Sequence, residues 1–275
     1  MACPARRILL NKRQDLTEDT AMTDHIKLDL SDRILTITIA RPERKNALTQ
    51  AMYGKMADAI VDANTNKAVR AIVITGEGDM FTAGNDLSDF ASIEERETGT
   101  PPVTRFLNAI RDAYKPIIAA VNGPAIGVGL TMLLHCDISF AAQSANFRAP
   151  FTQLGLVPEA GSSLLLPRIV GRSMANEVLL AGRILTADEA LACGLVSRVL
   201  RDEELLGAAM ATAQKIAASA PTAILKSKAL INSRTAEIAD QMRAEGEIFA
   251  AQLQSPEFAE AAAAFAQKRA PVFED

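Results

Sequence analysis

The sequence predicts a mixed α/β protein in which strands dominate the first half of the chain and helices the second. Short apolar segments that end in turns, such as Ile34–Ile39 and Ile117–Val121, are typical of β-strands. From Arg172 onward the chain is rich in Ala, Leu, Glu and Lys at helical spacing. A length of 275 residues, with 49% hydrophobic and 23% charged residues, suits one large globular domain or two small ones.

The first predicted elements are a strand, a helix and a second strand. Ile34–Ile39 alternates apolar residues with Thr and is followed by a charged loop, which predicts a strand that ends in a turn. Thr49 is a good N-cap for a helix that runs to about residue 64. Residues 69–75 (VRAIVIT) predict the next strand, and the turn cluster 76–79 closes it.

A fully apolar strand and a glycine-containing loop form the middle of the chain. Ile117–Val121 leads directly into the small-residue loop 122–129, after which residues 130–135 are predicted to be helical and Ile138–Ala142 to be a strand. This succession of strand, loop, helix and strand is typical of crossover units. The remaining predicted helices are 174–181, Ala187–Ala192, Asp202–Ala218, 222–253 and 256–270.

The bulk composition argues against several classes of protein. Lys plus Arg number 29 and Asp plus Glu number 33, so the net charge of −4 does not favour a nucleic-acid partner. No apolar segment approaches the roughly 20 residues of a membrane-spanning helix. Cys3, Cys136 and Cys193 form no CxxC pair, which is typical of free thiols in a reducing compartment. We therefore expect a cytoplasmic protein without a membrane partner.

Histidine is scarce, and this limits the possible catalytic sites. His25 and His135 are the only two histidines, so a histidine-based metal site or a Ser/His/Asp triad is not expected. Acid–base chemistry then depends on carboxylates, lysines or the two tyrosines, Tyr53 and Tyr114.

We divide the chain into three parts. Residues 1–21 mix basic and acidic side chains and contain no long apolar core, which predicts a disordered extension rather than a secretory or transit peptide. Residues 22–215 are predicted to form the core domain. Residues 216–275 are predicted to form a helical region.

Three segments are candidates for a ligand site. In 81–87, Gly84 allows the backbone to approach a ligand, although an ordinary capped turn has the same sequence pattern. In 122–129, a strand ends in a small-residue loop that opens a helix. Its glycine spacing matches neither a dinucleotide fingerprint nor a phosphate loop, and close helix–strand packing is the alternative explanation.

The third segment, 151–163, contains the candidate acid–base group. Glu159 lies between apolar and small residues, which predicts a partly buried carboxylate with a raised pKa, suited to proton transfer. The alternative is that Glu159 belongs to the first turn of a helix, where a carboxylate is stabilised by the helix dipole.

Taken together and in this order, the segments resemble the crotonase (enoyl-CoA hydratase/isomerase) family over residues 23–275. Segment 41–48 (RPERKNAL) looks like the family's coenzyme A loop, and 185–196 like a helix–turn common in the family. The resemblance implies a spiral of repeated ββα units followed by a C-terminal helical trimerisation region. It also implies an acyl-CoA substrate, no cofactor apart from the coenzyme A of that substrate, and a homotrimer or a dimer of trimers.

The resemblance also implies roles for individual residues. The amides of Asn85 and Val128 would donate hydrogen bonds to the thioester oxygen of the substrate. Lys268 or Arg269 would approach the phosphates of a neighbouring subunit's ligand. The other residues expected at the substrate are Lys45, Asn46, Ala47, Ala83, Gly84, Asp86, Leu87, Gly127 and Pro158.

The departures from the family pattern indicate an isomerase. Hydratases of the family use two glutamates, and the corresponding positions here are Thr131 and Phe151. Glu159 lies in a segment that resembles the corresponding segment of peroxisomal-type 3-enoyl-CoA to 2-enoyl-CoA isomerases. The resemblance therefore implies a double-bond shift with Glu159 as acid and base, while the segment 88–105 is predicted to form the pocket wall.

Other functions stay open on the sequence. An enoyl-CoA hydratase in which Glu159 works with a bound water is the second candidate enzyme. A non-catalytic acyl-CoA-binding protein is the candidate from a different class, and an RNA-binding relative is disfavoured by the charge.

Overall fold

A computed structural model of the protein describes residues 25–86, 99–233 and 235–273, and this part of the chain confirms the predicted α/β class. The predicted extension 1–21 and the candidate residue Leu87 lie outside the described residues.

Two sheets form within the described residues. The strands are β1 (Ile26–Ser31), β2 (Ile34–Ile39), β3 (Ala71–Gly76), β4 (Ile117–Val121), β5 (Ala125–Ile126), β6 (Ile138–Ala142), β7 (Asn146–Arg148), β8 (Leu185–Thr186) and β9 (Arg198–Leu200). The main sheet has the order β1-β2-β3-β4-β6-β9, and all its neighbours except β1 and β2 are parallel. The small sheet has the order β5-β7-β8.

The helices surround the main sheet and extend beyond it. They are α1 (Gln50–Thr65), α2 (Pro102–Arg111), α3 (Val128–Thr131), α4 (Ser162–Val170), α5 (Arg172–Leu179), α6 (Ala187–Ala192), α7 (Asp202–Ala218), α8 (Pro221–Ile231), α9 (Thr235–Leu253) and α10 (Pro256–Ala266). Thr49 caps α1, as the sequence predicts, by accepting a hydrogen bond from the Met52 amide. No helix in these ranges has both the length and the apolar composition needed to cross a membrane.

The parallel strands are apolar because both faces of the sheet are covered. All five residues of β4 are buried. On one face, Ile72 and Ala119 belong to the same core cluster as Met56 of α1. On the other face, Ile118 packs in a cluster with Leu205 of α7. A strand that is buried on both sides has no polar position, which explains its continuous apolar sequence.

The C-terminal prediction of one helix over 222–253 is wrong, because α8 and α9 are separate. Asn232 ends α8 with its amide bonded to the Lys228 carbonyl, and its own carbonyl accepts from the Thr235 hydroxyl. Asn and Ser compete with helical hydrogen bonds and favour such ends. The short strands β8 and β9 also interrupt a region that was predicted to be nearly all helical. The domain boundary predicted at residue 215 falls in the last turn of α7.

Asn46 fixes the loop that joins β2 to α1. Its side chain is fully buried, and its backbone is left-handed with φ of 55°. The amide nitrogen donates to the carbonyls of Glu77 at 2.9 Å and Met80 at 2.6 Å, while the amide oxygen accepts from the Arg41 NH at 2.8 Å. Asn46 thus links this loop to the turn that follows β3.

Replacing Asn46 by Ala is expected to lower the free energy of unfolding by about 2–4 kcal/mol, because two carbonyls and one NH of half-buried residues lose their bonds to the buried Asn46 side chain. Lys45→Ala is the matched control, since Lys45 is also left-handed (φ 53°) but exposed. Urea denaturation measures both variants. Equal losses in the two would show that backbone strain, and not the hydrogen bonds of Asn46, limits stability.

Candidate active site

Glu159 lies on a turn between β7 and α4. Because α4 begins at Ser162, the alternative placement of Glu159 in the first turn of a helix is wrong. The two residues after Glu159 are both left-handed, Ala160 with φ of 59° and Gly161 with φ of 72°. A left-handed conformation is costly for alanine, so other contacts must stabilise this turn.

Two buried side chains hold the turn. The His135 ring lies 2.7 Å from the Ala160 carbonyl through Nε2, and burial lowers the pKa of His135 to about 4. The ring is therefore neutral, and its Nε2–H donates to that carbonyl. On the other side, Glu245 of α9 is 5% exposed and accepts from the Gly161 NH at 2.5 Å and from the Ser163 NH at 3.0 Å.

The Glu159 carboxyl group is partly buried and bonded to Thr131. Its Oε1 accepts from the Thr131 hydroxyl at 2.5 Å. Burial raises the pKa of Glu159 to about 7, the charge of Glu245 acts in the same direction, and the Thr131 hydrogen bond opposes the shift. A carboxyl group with this pKa exchanges protons readily near neutral pH.

The two loops with candidate oxyanion donors lie side by side. A Cβ added to Gly84 would lie 2.9 Å from the Ile126 carbonyl oxygen and 3.9 Å from the Gly127 Cα, so only glycine permits this approach. Asn85 directly follows Gly84, and Val128 directly follows Gly127. Within the described ranges, neither the Asn85 amide nor the Val128 amide donates to a protein acceptor.

Asn85 is held from two sides. Its neighbours Gly84 and Asp86 bond to Leu48 as in a parallel β-bridge, at 2.8 and 2.9 Å. The Asn85 side-chain oxygen accepts from the Tyr53 hydroxyl. Burial raises the pKa of Tyr53, and the nearby charge of Glu159 adds to the shift, so Tyr53 remains a neutral donor.

A cavity of about 790 Å³ opens at this site. Asn85 and Glu159 both line it, and most of the remaining wall comes from α2 and α9. The walls are largely apolar, with residues such as Leu107, Met242 and Phe249. Its size and lining suit an organic ligand with an apolar portion. Part of the predicted pocket wall 88–105 is confirmed, since residues 101, 103 and 104 line the cavity, whereas residues 88–98 lie outside the described ranges.

The positions of the two hydratase glutamates contain no carboxylate. Thr131 is fully buried and donates to Glu159, and Phe151 is buried in the core. Apart from Glu159, the carboxylate that lines the cavity is Glu247, which is exposed on α9.

Only some of the residues predicted to lie beside the nucleotide end of coenzyme A are close to the candidate site. Lys45 is exposed, Ala47 is half-buried, and the Lys45 carbonyl accepts from the Ala83 NH at 3.0 Å, which places this loop beside the Asn85 segment. The side chain of Asn46, by contrast, is buried and bonded within the protein.

The other residues predicted to contact the substrate differ in their exposure and in their bonding partners. The Asp86 carboxylate accepts from Arg41 at 2.7 Å, so it stabilises the loop. Gly127 precedes α3, and Pro158 is half-buried next to Glu159. Lys268 is exposed after the end of α10 and is absent from the cavity lining.

Four residues around the site were not predicted to act there. Tyr53, His135 and Glu245 are far from Glu159 in sequence, and only Tyr53 and His135 were noted, for their rarity. Thr131 was noted only because it stands at a position where hydratases of the family have a glutamate. In the described residues, no group of three or more His, Cys, Asp and Glu side chains is placed to hold a metal ion.

Comparison with known proteins gives a consistent group of relatives. The profile of the enoyl-CoA hydratase/isomerase family matches residues 29–275. The crystal structure of an enoyl-CoA hydratase/isomerase from Pseudoalteromonas atlantica T6c is similar with a TM-score of 0.88 and 52% identity, over 91% of this chain and 100% of that one.

Curated relatives have both hydratase and isomerase names. The probable enoyl-CoA hydratase echA12 of Mycobacterium bovis is 38% identical over 256 residues, which are 88% of this chain and 90% of the relative. The peroxisomal enoyl-CoA delta isomerase 3 of Mus musculus is 42% identical over 173 residues, which are 61% of this chain and 54% of the relative.

Replacing Thr131 by Val is expected to raise the pKa of Glu159 further, because Val fills the same space but donates no hydrogen bond to the carboxylate. Titration of ¹³C-labelled glutamate side chains by NMR measures this directly. In the wild-type protein one glutamate should titrate at about 7. A Glu159 pKa in Thr131→Val that is unchanged or lower would contradict the assigned role of the hydroxyl.

Proposed function

Because the chain belongs to the enoyl-CoA hydratase/isomerase family, we propose that it shifts the double bond of a 3-enoyl-CoA to position 2, with Glu159 as acid and base. The family's crotonase fold is confirmed by the structural likeness. The single observation that carries the proposal is the partly buried Glu159 carboxyl group on the same cavity as Asn85, with no second carboxylate at positions 131 and 151.

The proposed reaction needs one proton-transfer group. Glu159 takes a proton from C2, the C2–H electron pair forms a double bond towards C1, and the thioester oxygen becomes negative. The dienolate then takes the proton from Glu159 at C4, while the bond between C3 and C4 becomes single and the bond between C2 and C3 double. The number of atoms and the net charge are unchanged, so no external oxidant or water is consumed.

The amides of Asn85 and Val128 are proposed to stabilise the dienolate oxygen. Neither amide has an acceptor among the described residues, and main-chain donors need no rearrangement when the charge develops. Removal of one such donor typically costs about 3–4 kcal/mol of transition-state stabilisation. The Tyr53 hydrogen bond supports this role because it fixes the Asn85 side chain.

Hydration is the less favoured reaction. It requires one group to activate water and another to deliver a proton to the carbon skeleton, in the family two glutamates. Thr131 uses its hydroxyl proton in the bond to Glu159, and Phe151 has no exchangeable proton. The hydratase names among the relatives make a direct assay of both activities necessary.

We propose that the chain forms a homotrimer or a dimer of trimers through its C-terminal helical region. Several large apolar side chains are exposed there, including Leu230 and Ile231 of α8, with 77% and 79% exposure, and Phe265 of α10 with 69%. Apolar surface of this kind is typical of an interface.

Replacing Glu159 by Gln is expected to lower kcat/KM for 3-enoyl-CoA isomerisation by roughly 10³-fold or more, because Gln cannot accept the C2 proton and the described cavity wall has no other partly buried carboxylate. Wild-type kcat/KM should rise as the pH increases through about 7, because the raised pKa keeps Glu159 protonated below that value. The matched control is Glu247→Gln, which removes the exposed carboxylate of the same cavity and should retain activity.

Two further measurements decide between the candidate functions. Both variants and the wild type are assayed for hydration of crotonyl-CoA, and their binding of an acyl-CoA is measured by calorimetry. Full isomerase activity in Glu159→Gln, or wild-type hydration that exceeds isomerisation, would overturn the proposal. Tight acyl-CoA binding without either turnover would favour the non-catalytic alternative.

Replacing Ile231 by Glu is expected to weaken the assembly, because a charge is introduced into the exposed apolar surface of α8. Light scattering coupled to size exclusion measures the mass. Val61→Glu on α1 is the control, since Val61 is also exposed but lies outside the C-terminal region. A monomeric wild type would refute the proposed trimer.

A further inference from the structure

A second cavity lies beside the starting ends of the central strands β3 and β4, whereas the candidate active site follows their other ends. Its volume is about 230 Å³. Arg70 immediately precedes β3, Lys115 precedes β4 by two residues, and both side chains line this cavity. The candidate active site is formed by segments that follow the other ends of the same strands. With about 3.3 Å per residue, five or six strand residues separate the two regions by roughly 17 Å or more.

The cavity has three cationic side chains, from Lys67, Arg70 and Lys115. Lys115 is only 7% exposed, and no acceptor in the described part of the chain is bonded to its ammonium group. One terminal nitrogen of Arg70, Nη1, is buried and has no hydrogen-bond partner. Burial lowers the pKa of Lys115, and the charge of Arg70 adds to the effect.

Among the described residues, no acidic side chain lines the cavity to balance these charges. Asp137, which accepts from the Ile117 NH near Lys115, is already paired with Lys228 at 2.6 Å. A buried cation without a partner is unfavourable, because desolvation is not repaid. The unsatisfied donors of Arg70 and Lys115 therefore point to an anionic ligand.

The rest of the wall restricts the size and type of that ligand. It consists of Ile216 from α7 and of Pro221, Ile224 and Leu225 from the first part of α8. The volume equals that of about eight water molecules in the liquid, which admits a phosphate with a short carbon chain.

We propose that this cavity binds a phosphoryl dianion, either as inorganic phosphate or on a small organic phosphate whose carbon chain contacts Ile216, Ile224 and Leu225. Three cations without a carboxylate favour a dianion over a monocarboxylate. The site is separate from the acyl-CoA cavity and does not depend on the isomerase proposal.

The test uses the full-length protein in phosphate-free buffer. Calorimetry and thermal unfolding are recorded with inorganic phosphate, with glycerol 3-phosphate and with butyrate, at constant ionic strength. We expect saturable binding of the phosphates and a higher melting temperature. Tighter binding of glycerol 3-phosphate would identify the organic source, and equal binding would identify free phosphate.

Variants locate the site. Lys115→Met should weaken phosphate binding by about tenfold or more. It should melt no lower than the wild type without phosphate, because it removes a positive charge that lies near Arg70 and has no acidic partner among the described lining residues. Lys226→Met, on the exposed side of α8 and outside the cavity lining, should bind phosphate like the wild type.

Several results would overturn the proposal. These are no saturable binding by the wild type at about 10 mM phosphate, butyrate binding as tight as phosphate, or equal losses of phosphate binding in Lys115→Met and Lys226→Met. If Lys115→Met does not fold, Arg70→Gln replaces it in the same comparison. Isomerase activity is recorded for every variant and is expected to be unchanged, so that failure of this site is distinguishable from failure of the proposed reaction.

Discussion

The turn at Ala160 and Gly161 is the constraint on which the rest of the site depends. Two successive left-handed residues reverse the chain and direct the Glu159 carboxyl group into the cavity. The conformation is unfavourable for Ala160, and the free backbone NH groups of the turn would be costly if buried without partners. Two side chains offset these costs. His135 donates to the Ala160 carbonyl, and Glu245 accepts from the Gly161 NH and the Ser163 NH.

This arrangement makes the C-terminal region part of the site. Glu245 lies on α9, more than eighty residues after the turn that it holds, and the same helix contributes to the cavity wall. The contact is also electrostatic, because the charge of Glu245 raises the pKa of Glu159 in addition to burial. Packing of α9 therefore determines the position of the carboxyl group and also its proton affinity.

The sequence predicts those features that depend on local patterns. The strands β2, β3, β4 and β6, the N-cap at Thr49, the two glycine loops and the raised pKa of Glu159 all follow from neighbouring residues, and the structure agrees with them. Contacts between distant segments leave no local pattern, so the roles of Tyr53 and Glu245 could not be predicted. Asn46 shows the same limit, because the resemblance of its loop to the family's coenzyme A loop implied a ligand contact, whereas its side chain is used inside the fold.

The type of side chain at position 131 determines how the Glu159 carboxyl group can titrate. Their oxygens are 2.5 Å apart, so a glutamate at position 131 would bring a second carboxyl group to the Glu159 carboxyl group. Two carboxyl groups this close share one proton, and the pKa of one of them rises strongly. A neutral donor avoids this repulsion and leaves Glu159 to titrate near neutral pH. A residue without a carboxylate at position 131 is thus a condition for the proposed use of Glu159 as a single acid–base group.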